Sequence, residues 1–394
     1  MIKETMTAEQ RVLAAINLEP YDRVPVAPHP SVEFPLAHKG KSLAVTESPQ
    51  RWDEFLHDWL DLYDEVGGWD GVTIGGRATW AGFTTTAGGA GSMRYPGQDQ
   101  RVDTAGSVQF EEREMLSAED YDDIIKLGWA RFVETKFSHI RRGGFITSVS
   151  NKATTARLLT DQYLRSRDAW QKRGVGVIAG VMSLDPQMAL SLMRTFPQFT
   201  LDLYRRPDKV QAALDAMVDD FIKDGIEGMR LTGISSTGIP GVNVACERGS
   251  GEYYNLKIFE RFVWPYIKKM VETWAAAGIV TTLHFDTNWT LNLPYLKELP
   301  RKMCICQLDS KTDIFKAKEI LKDHMCIMGD VPPALSSHGT PEQMEAYCRK
   351  LIDVVGRDTG FILSNGCAVP PDTKYENFKM MIDTARNYPP SRSS

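Results

Sequence analysis

From residue 279 to residue 387 the chain repeats one pattern four times: a short apolar run, then an amphipathic stretch with three-to-four spacing. The runs 279–284, 303–308, 325–329 and 361–364 read as strands. The stretches 291–298, 312–322, 341–355 and 374–387 read as the helices that follow them. Consecutive strand–helix units imply a parallel sheet covered by helices. Earlier units at 23–26, 71–74, 175–181 and 240–245 bring the strand count close to eight. The expected fold is α/β, a (β/α)8 TIM barrel with an N-terminal extension and a β-rich insertion; such barrels take about 250 residues. An open doubly wound sheet is the alternative. No Gly-x-Gly-x-x-Gly follows a strand and no phosphate loop ends in Gly-Lys-Ser/Thr, so neither architecture gains a nucleotide anchor.

The first half is less regular. Met6–Asn17 has Thr7 as a cap and Val12, Leu13 and Ile16 on one face, which predicts a helix. A second helix is expected from Ser48 to about Glu65. Further helices are expected from Ser117 through Phe132, at 154–173, 188–195 and 199–204, and from Pro207 to Asp224, the last ending near Gly225. Residues 257–277 predict one long helix closed by Gly278. The stretch 75–115 is rich in Gly and Thr but carries Trp80, Phe83, Tyr95 and Phe110, so it reads as a β-rich excursion with something to bury. Residues 1–394 are taken as one domain, with 1–70 as the extension and first unit.

Composition narrows the function classes. A net charge of −5 gives no basic surface for nucleic acid. No apolar run approaches the roughly 20 residues of a membrane span, and the first residues lack a signal peptide's apolar core, so a cytoplasmic location is expected. The six cysteines are expected to be reduced. Cys304 and Cys306 lie in a run that reads as a buried strand, where a thiol packs as a small hydrophobe.

The polar residues at the strand ends carry the functional reading. In Thr281-Thr-Leu-His-Phe-Asp286, His284 and Asp286 stand two apart and project from one face of a strand's carboxyl end. In a barrel, strand ends converge on one mouth. Asp309, Asp330, and Asn365 with Cys367 end the next three strands. Nitrogen, oxygen and sulfur donors on one rim suit a zinc ion, with His284 and Cys367 at its centre and one or two carboxylates, Asp286 and Asp309, completing the set, Asp330 being a possible substitute. A lone strand-end histidine is more often structural, and aspartates there commonly cap the next helix. Glu247, after another strand, reads as a substrate-contacting acid or base, or as a surface ion-pair partner. With Asp330 and Asn365 it forms the candidate catalytic set. Trp80, Trp264 and Trp289 read as pocket lining or as core.

Thr7-Ala-Glu-Gln-Arg-Val-Leu-Ala-Ala-Ile-Asn17 followed by Asp22-Arg-Val-Pro-Val26 resembles the opening of the uroporphyrinogen decarboxylase superfamily. Gly360-Phe-Ile-Leu-Ser-Asn-Gly-Cys367 with Ala368–Thr373 is similar to its closing strand, loop and helix. The nearest likeness is to the branch of zinc-dependent corrinoid methyltransferases. The resemblance implies a (β/α)8 barrel and zinc held by a His-x-Cys pair and a later cysteine, which match here at His284 and Cys367. The middle position is Asp286, a departure. Where the decarboxylases carry an arginine-rich loop, this chain reads Ala27-Pro-His-Pro-Ser31. Replacing sulfur by carboxylate oxygen makes the ion harder and more Lewis acidic. The expectation is methyl transfer from an O-methyl donor, such as an aromatic methyl ether, to cob(I)alamin on a partner corrinoid protein. The chain shows no Asp-x-His-x-x-Gly corrinoid motif of its own. Methyl-corrinoid transfer to a thiol or folate, metal-free decarboxylation and a binding protein are the alternatives.

Overall fold

The computed structural model describes residues 4–28, 33–41, 51–73, 93–94, 109–110, 112–137, 152–232, 239 and 241–389. Its strands are β1 (Gly71–Thr73), β2 (Gly176–Ala179), β3 (Val181–Leu184), β4 (Gly241–Ala245), β5 (Val280–Phe285), β6 (Cys304–Leu308), β7 (Cys326–Val331) and β8 (Phe361–Asn365). Strands β3 to β8 pair in sequence order, every pair parallel. Strand β2 pairs in parallel with β1. Residues 24–27 close the ring, bridging β8 through Val26 and Leu363 and accepting at Val26 O from Asp70 N and Gly71 N. Strands β2 and β3 are one stave interrupted at Gly180, whose N–H donates to Gly241 O at 2.7 Å. With that stave counted once the barrel has the eight staves that the alternation predicts.

Burial is two-sided, as parallel sheets require. One cluster fills the lower lumen: Ile178, Val280, Ile305, Cys326, Met328 and Ile362, plugged by Val12, Ala15 and Ile16 of the first helix. That helix, Ala8–Ile16, starts at a capping box formed by Thr7 and Gln10. A second, larger cluster lies between the staves and the outer helices and takes the alternate residues, such as Val242, Val244, Leu283, Phe285, Cys304 and Cys306. Each fully buried aliphatic or aromatic side chain contributes about 1.5–3 kcal/mol, so these layers, more than any polar contact, fix where the strand ends fall.

Several elements depart from the sequence expectation. The helix expected to end near Gly225 runs on as Pro207–Thr232. Gly225 lies inside it because a Cβ there would approach Trp274 Cζ2 to 2.7 Å, so the glycine serves close packing and not termination. The helix expected over 257–277 is two, Leu256–Phe262 and Trp264–Ala276, parted at Val263. Pro265 has no N–H to continue the ladder. The stretch 291–298 forms a 3-10 turn, Leu293–Glu298. Of 75–115 the described part includes Met93–Arg94 paired antiparallel with Gln109–Phe110; Trp80 lies outside the described residues, as do positions 29–31. Cys304 and Cys306 pack wholly in the core. Among the described residues no helix is long and apolar enough to cross a membrane.

Candidate metal centre

His284 is the last inward-facing residue of β5, and Asp286 follows the strand directly. Cys367 lies two residues beyond β8. Barrel closure brings the three together: one donor atom from each lies within 4.8 Å of the others. His284 Nε2 is 3.2 Å from an Asp286 carboxylate oxygen and 3.7 Å from Cys367 Sγ. The Cys367 thiol donates to the other Asp286 oxygen at 3.7 Å. His284 is 5 % exposed, whereas Asp286 and Cys367 are half-buried, so the group opens toward the mouth.

The local backbone holds this arrangement. The indole N–H of Trp289 donates to Asp286 O at 2.9 Å, and its ring packs on Phe285 at 4.1 Å. Thr287, at φ 71°, sits in the left-handed region that β-branched residues avoid. It is held there by Asp309, which accepts from Thr287 N at 2.9 Å, and by Ser250 Oγ at 2.8 Å from Thr287 Oγ1. Cys246 N donates to His284 O at 3.0 Å, anchoring the end of β4 beside β5. Gly366 lets the turn carrying Cys367 lie on the next loop, since a Cβ there would stand 3.1 Å from Asp309 Cα.

Electrostatics favour a cation at this spot. Burial acts to lower the His284 pKa, but the Asp286 carboxylate and the Cys367 thiol outweigh it and carry the pKa well above its ordinary value. Burial raises Cys367, with His284 opposing and Asp286 adding to the rise. An acid and a thiol around one imidazole thus ask for positive charge between them, as a proton or as a metal ion. Zinc at ~2.3 Å from sulfur and ~2.0 Å from nitrogen or oxygen, in tetrahedral geometry, separates its ligand atoms by about 3.3–3.5 Å. The separations of 3.2 and 3.7 Å fit that ion with little movement. Three protein ligands also leave a fourth position, as in catalytic zinc sites.

The other strand-end residues are placed differently. Asp309 accepts from Thr287 N and Lys311 N, at 2.9 and 2.8 Å, and is outside the three-ligand group; it braces the turn. Asp330 accepts from the Tyr347 hydroxyl at 2.8 Å, and burial pushes its pKa up to about 7. Asn365 is buried at the end of β8. Glu247 stands after β4, where burial and then the charge of Asp286 push it up to about 7, against the opposing pull of His284. Its neighbour Arg248 turns to Ser191 O and Glu112, at 3.2 and 2.7 Å. Trp264 and Trp289 are core residues. Sequence reasoning passed over Asp185, fully buried after β3, capping Met188 N at 3.0 Å and raised to about 7 by burial. The strand-Asp-Pro order at 184–186 is the signal that marks it.

A closed (β/α)8 barrel with a compact nitrogen, oxygen and sulfur donor set at its carboxyl-terminal mouth is the class that fold and site define. The chain belongs to the uroporphyrinogen decarboxylase (URO-D) family, whose model matches residues 167–388. It is 28% identical over 188 residues to the methylcobamide:CoM methyltransferases MtbA of Methanosarcina mazei and Methanosarcina acetivorans, covering 48% of this chain and 52% of each relative. The chain thus spans about half the length of these relatives. It is 30% identical over 84 residues to the uroporphyrinogen decarboxylase of Methylococcus capsulatus, 21% of this chain and 24% of that one. A solved methyltransferase from Methanosarcina mazei superposes with a TM-score of 0.69 at 16% identity, over 97% of this chain and 99% of that chain, and so shares the fold.

Proposed function

We propose that this protein is a zinc-dependent methyltransferase that works with a corrinoid, moving a methyl group from an O-methyl donor to cob(I)alamin carried by a partner protein. The observation that carries the reading is the meeting of His284, Asp286 and Cys367 at the barrel mouth. These three would hold the zinc, whose Lewis acidity would draw charge from the donor's oxygen. In the overall transfer the O–CH3 bond breaks, the methyl passes to the reduced corrinoid with the cobalt electron pair forming the new bond, and the oxygen leaves as an alkoxide or phenolate. Glu247, whose pKa burial and the Asp286 charge push up to about 7, is the chain's own candidate to deliver a proton to that oxygen. Asp330 and Asn365, at neighbouring strand ends, are assigned to positioning the donor.

The likeness to enzymes named methylcobamide:CoM methyltransferases supports a second reading, in which a methyl-corrinoid delivers its methyl group to a thiol. The zinc-loaded protein, mixed with cob(I)alamin and 2-methoxyphenol, tests the first reading by loss of the cob(I)alamin spectrum. Mixed with methylcobalamin and 2-mercaptoethanol, it tests the second by the spectrum's appearance. Transfer in neither mixture, nor with any other methyl ether or thiol, sinks both.

A further inference from the structure

Just below the metal centre the lining of the lumen turns partly polar. On β5, Val280 belongs to the inner cluster and Leu283 and Phe285 to the outer one, so Thr282 and His284 face inward. On β4, Val242 and Val244 are outward, which turns Asn243 in. On β8, Ile362 is inward and Phe361 and Leu363 outward, which turns Ser364 in. Asn243 and Thr282 are partners in the β4–β5 register, and Ser364 is paired with Asp330 in the β7–β8 register. All three neutral side chains are buried, at 1 % exposure for Asn243 and 0 % for Thr282 and Ser364. Among the described residues, both polar atoms of Asn243 and the hydroxyls of Thr282 and Ser364 have no hydrogen-bond partner. Buried polar groups are almost always satisfied. Asn243 and Thr282 stand side by side on β4 and β5, and Ser364 faces them from β8 across the lumen; three such side chains beneath a candidate metal site call for a partner from outside the chain.

We infer that this level of the lumen is a substrate subsite for an uncharged group that both donates and accepts hydrogen bonds, a hydroxyl above all, borne by the molecule whose methyl group is transferred. The inference rests on the methyl-transfer reading for the identity of that molecule. Asn243 offers two donors and an acceptor, and each hydroxyl offers one of either kind, with no formal charge. Glu247, Asp286, Asp309 and Asp330 lie at the same mouth, which disfavours an anionic substituent. The position beneath His284, two residues up the same strand from Thr282, sets the recognised group and the reacting oxygen on one molecule of modest length.

The test is equilibrium binding of 2-methoxyphenol, methoxybenzene and 2-methoxybenzoate to the zinc-loaded protein and to Thr282→Val, Ser364→Ala and Asn243→Leu. The expected preference for 2-methoxyphenol over methoxybenzene is about tenfold, the worth of one good hydrogen bond, with 2-methoxybenzoate the weakest. Each variant should lose that preference while keeping its zinc and a thermal midpoint no lower than the parent's, because it removes a polar group that the protein itself leaves unsatisfied. A purely structural role would lower the midpoint and leave the preference intact, which overturns the subsite. So do equal affinities for the two neutral ethers, or binding of none of the three. Binding needs no corrinoid and no turnover. A hydroxyl preference without methyl transfer therefore refutes the proposed activity and leaves the subsite standing, and transfer indifferent to the hydroxyl does the reverse.

Discussion

The two ends of the barrel treat charge in opposite ways. At the amino-terminal end, Arg11 bonds Asp22 and Asp70 at 2.6 Å each, and Arg23 bonds Asp70 at 2.6 Å and Glu4 at 2.9 Å. Asp70 also accepts from Val26 N at 2.9 Å, tying the network to the stave that closes the ring. Buried arginines and acids there answer one another. At the carboxyl-terminal end, carboxylates, an imidazole and a thiol crowd together, and the lumen beneath them leaves polar atoms unmatched. The first arrangement holds the barrel shut. The second sits at the end where barrels of this kind keep their chemistry, and it leaves interactions to be completed by something else.

Substitutions at each end should break or sharpen this contrast, in decreasing order of effect. Asp70→Ala removes the acid that two buried guanidinium groups share and should cost about 3–5 kcal/mol of stability, read by denaturant unfolding; a loss below 1 kcal/mol would mean that the amino-terminal network is ornamental. Asp330→Asn should act in the other direction. Burial raises the folded-state pKa of Asp330 to about 7, above its value in an unfolded chain. The folded state therefore keeps a proton that the unfolded chain releases, and stability falls as pH rises between about 4 and 7. Asn removes that slope and should gain about 2–4 kcal/mol above pH 8; parallel stability–pH curves for the two proteins would contradict the placement. Asp309→Asn keeps one acceptor for the turn at Thr287 and should cost only about 0.5–2 kcal/mol, with zinc content unchanged. Loss of zinc in that variant would move Asp309 from brace to ligand.

How far the sequence reveals this contrast differs by region. Strands β5 to β8 are legible because both faces are buried, so each reads as a mostly apolar run. The first half shows its strands at the expected places but with poorer bounds: β1 is three residues long, and the stave 176–184, expected to end at Val181, is broken at Gly180. Gly225 is misleading because glycine marks a helix end and a close crossing with the same letter. At the mouth, His284 and Asp286 are legible through their two-residue spacing, and Cys367 through its strand end. Their distances depend on closure between Val26 and Leu363, which no local pattern encodes. Asn243, Thr282 and Ser364 escape notice because a polar residue inside a strand usually signals a solvated face. Only the assignment of their neighbours to inner and outer clusters shows that they face the lumen.

The most direct measurement is the metal content of the purified protein beside His284→Ala and Cys367→Ala. The expected result is about one zinc per chain in the parent, as a three-ligand site would bind, and none in either variant, with folding retained. No zinc in the parent after incubation with the ion, or zinc kept by both variants, would contradict a metal centre at the barrel mouth.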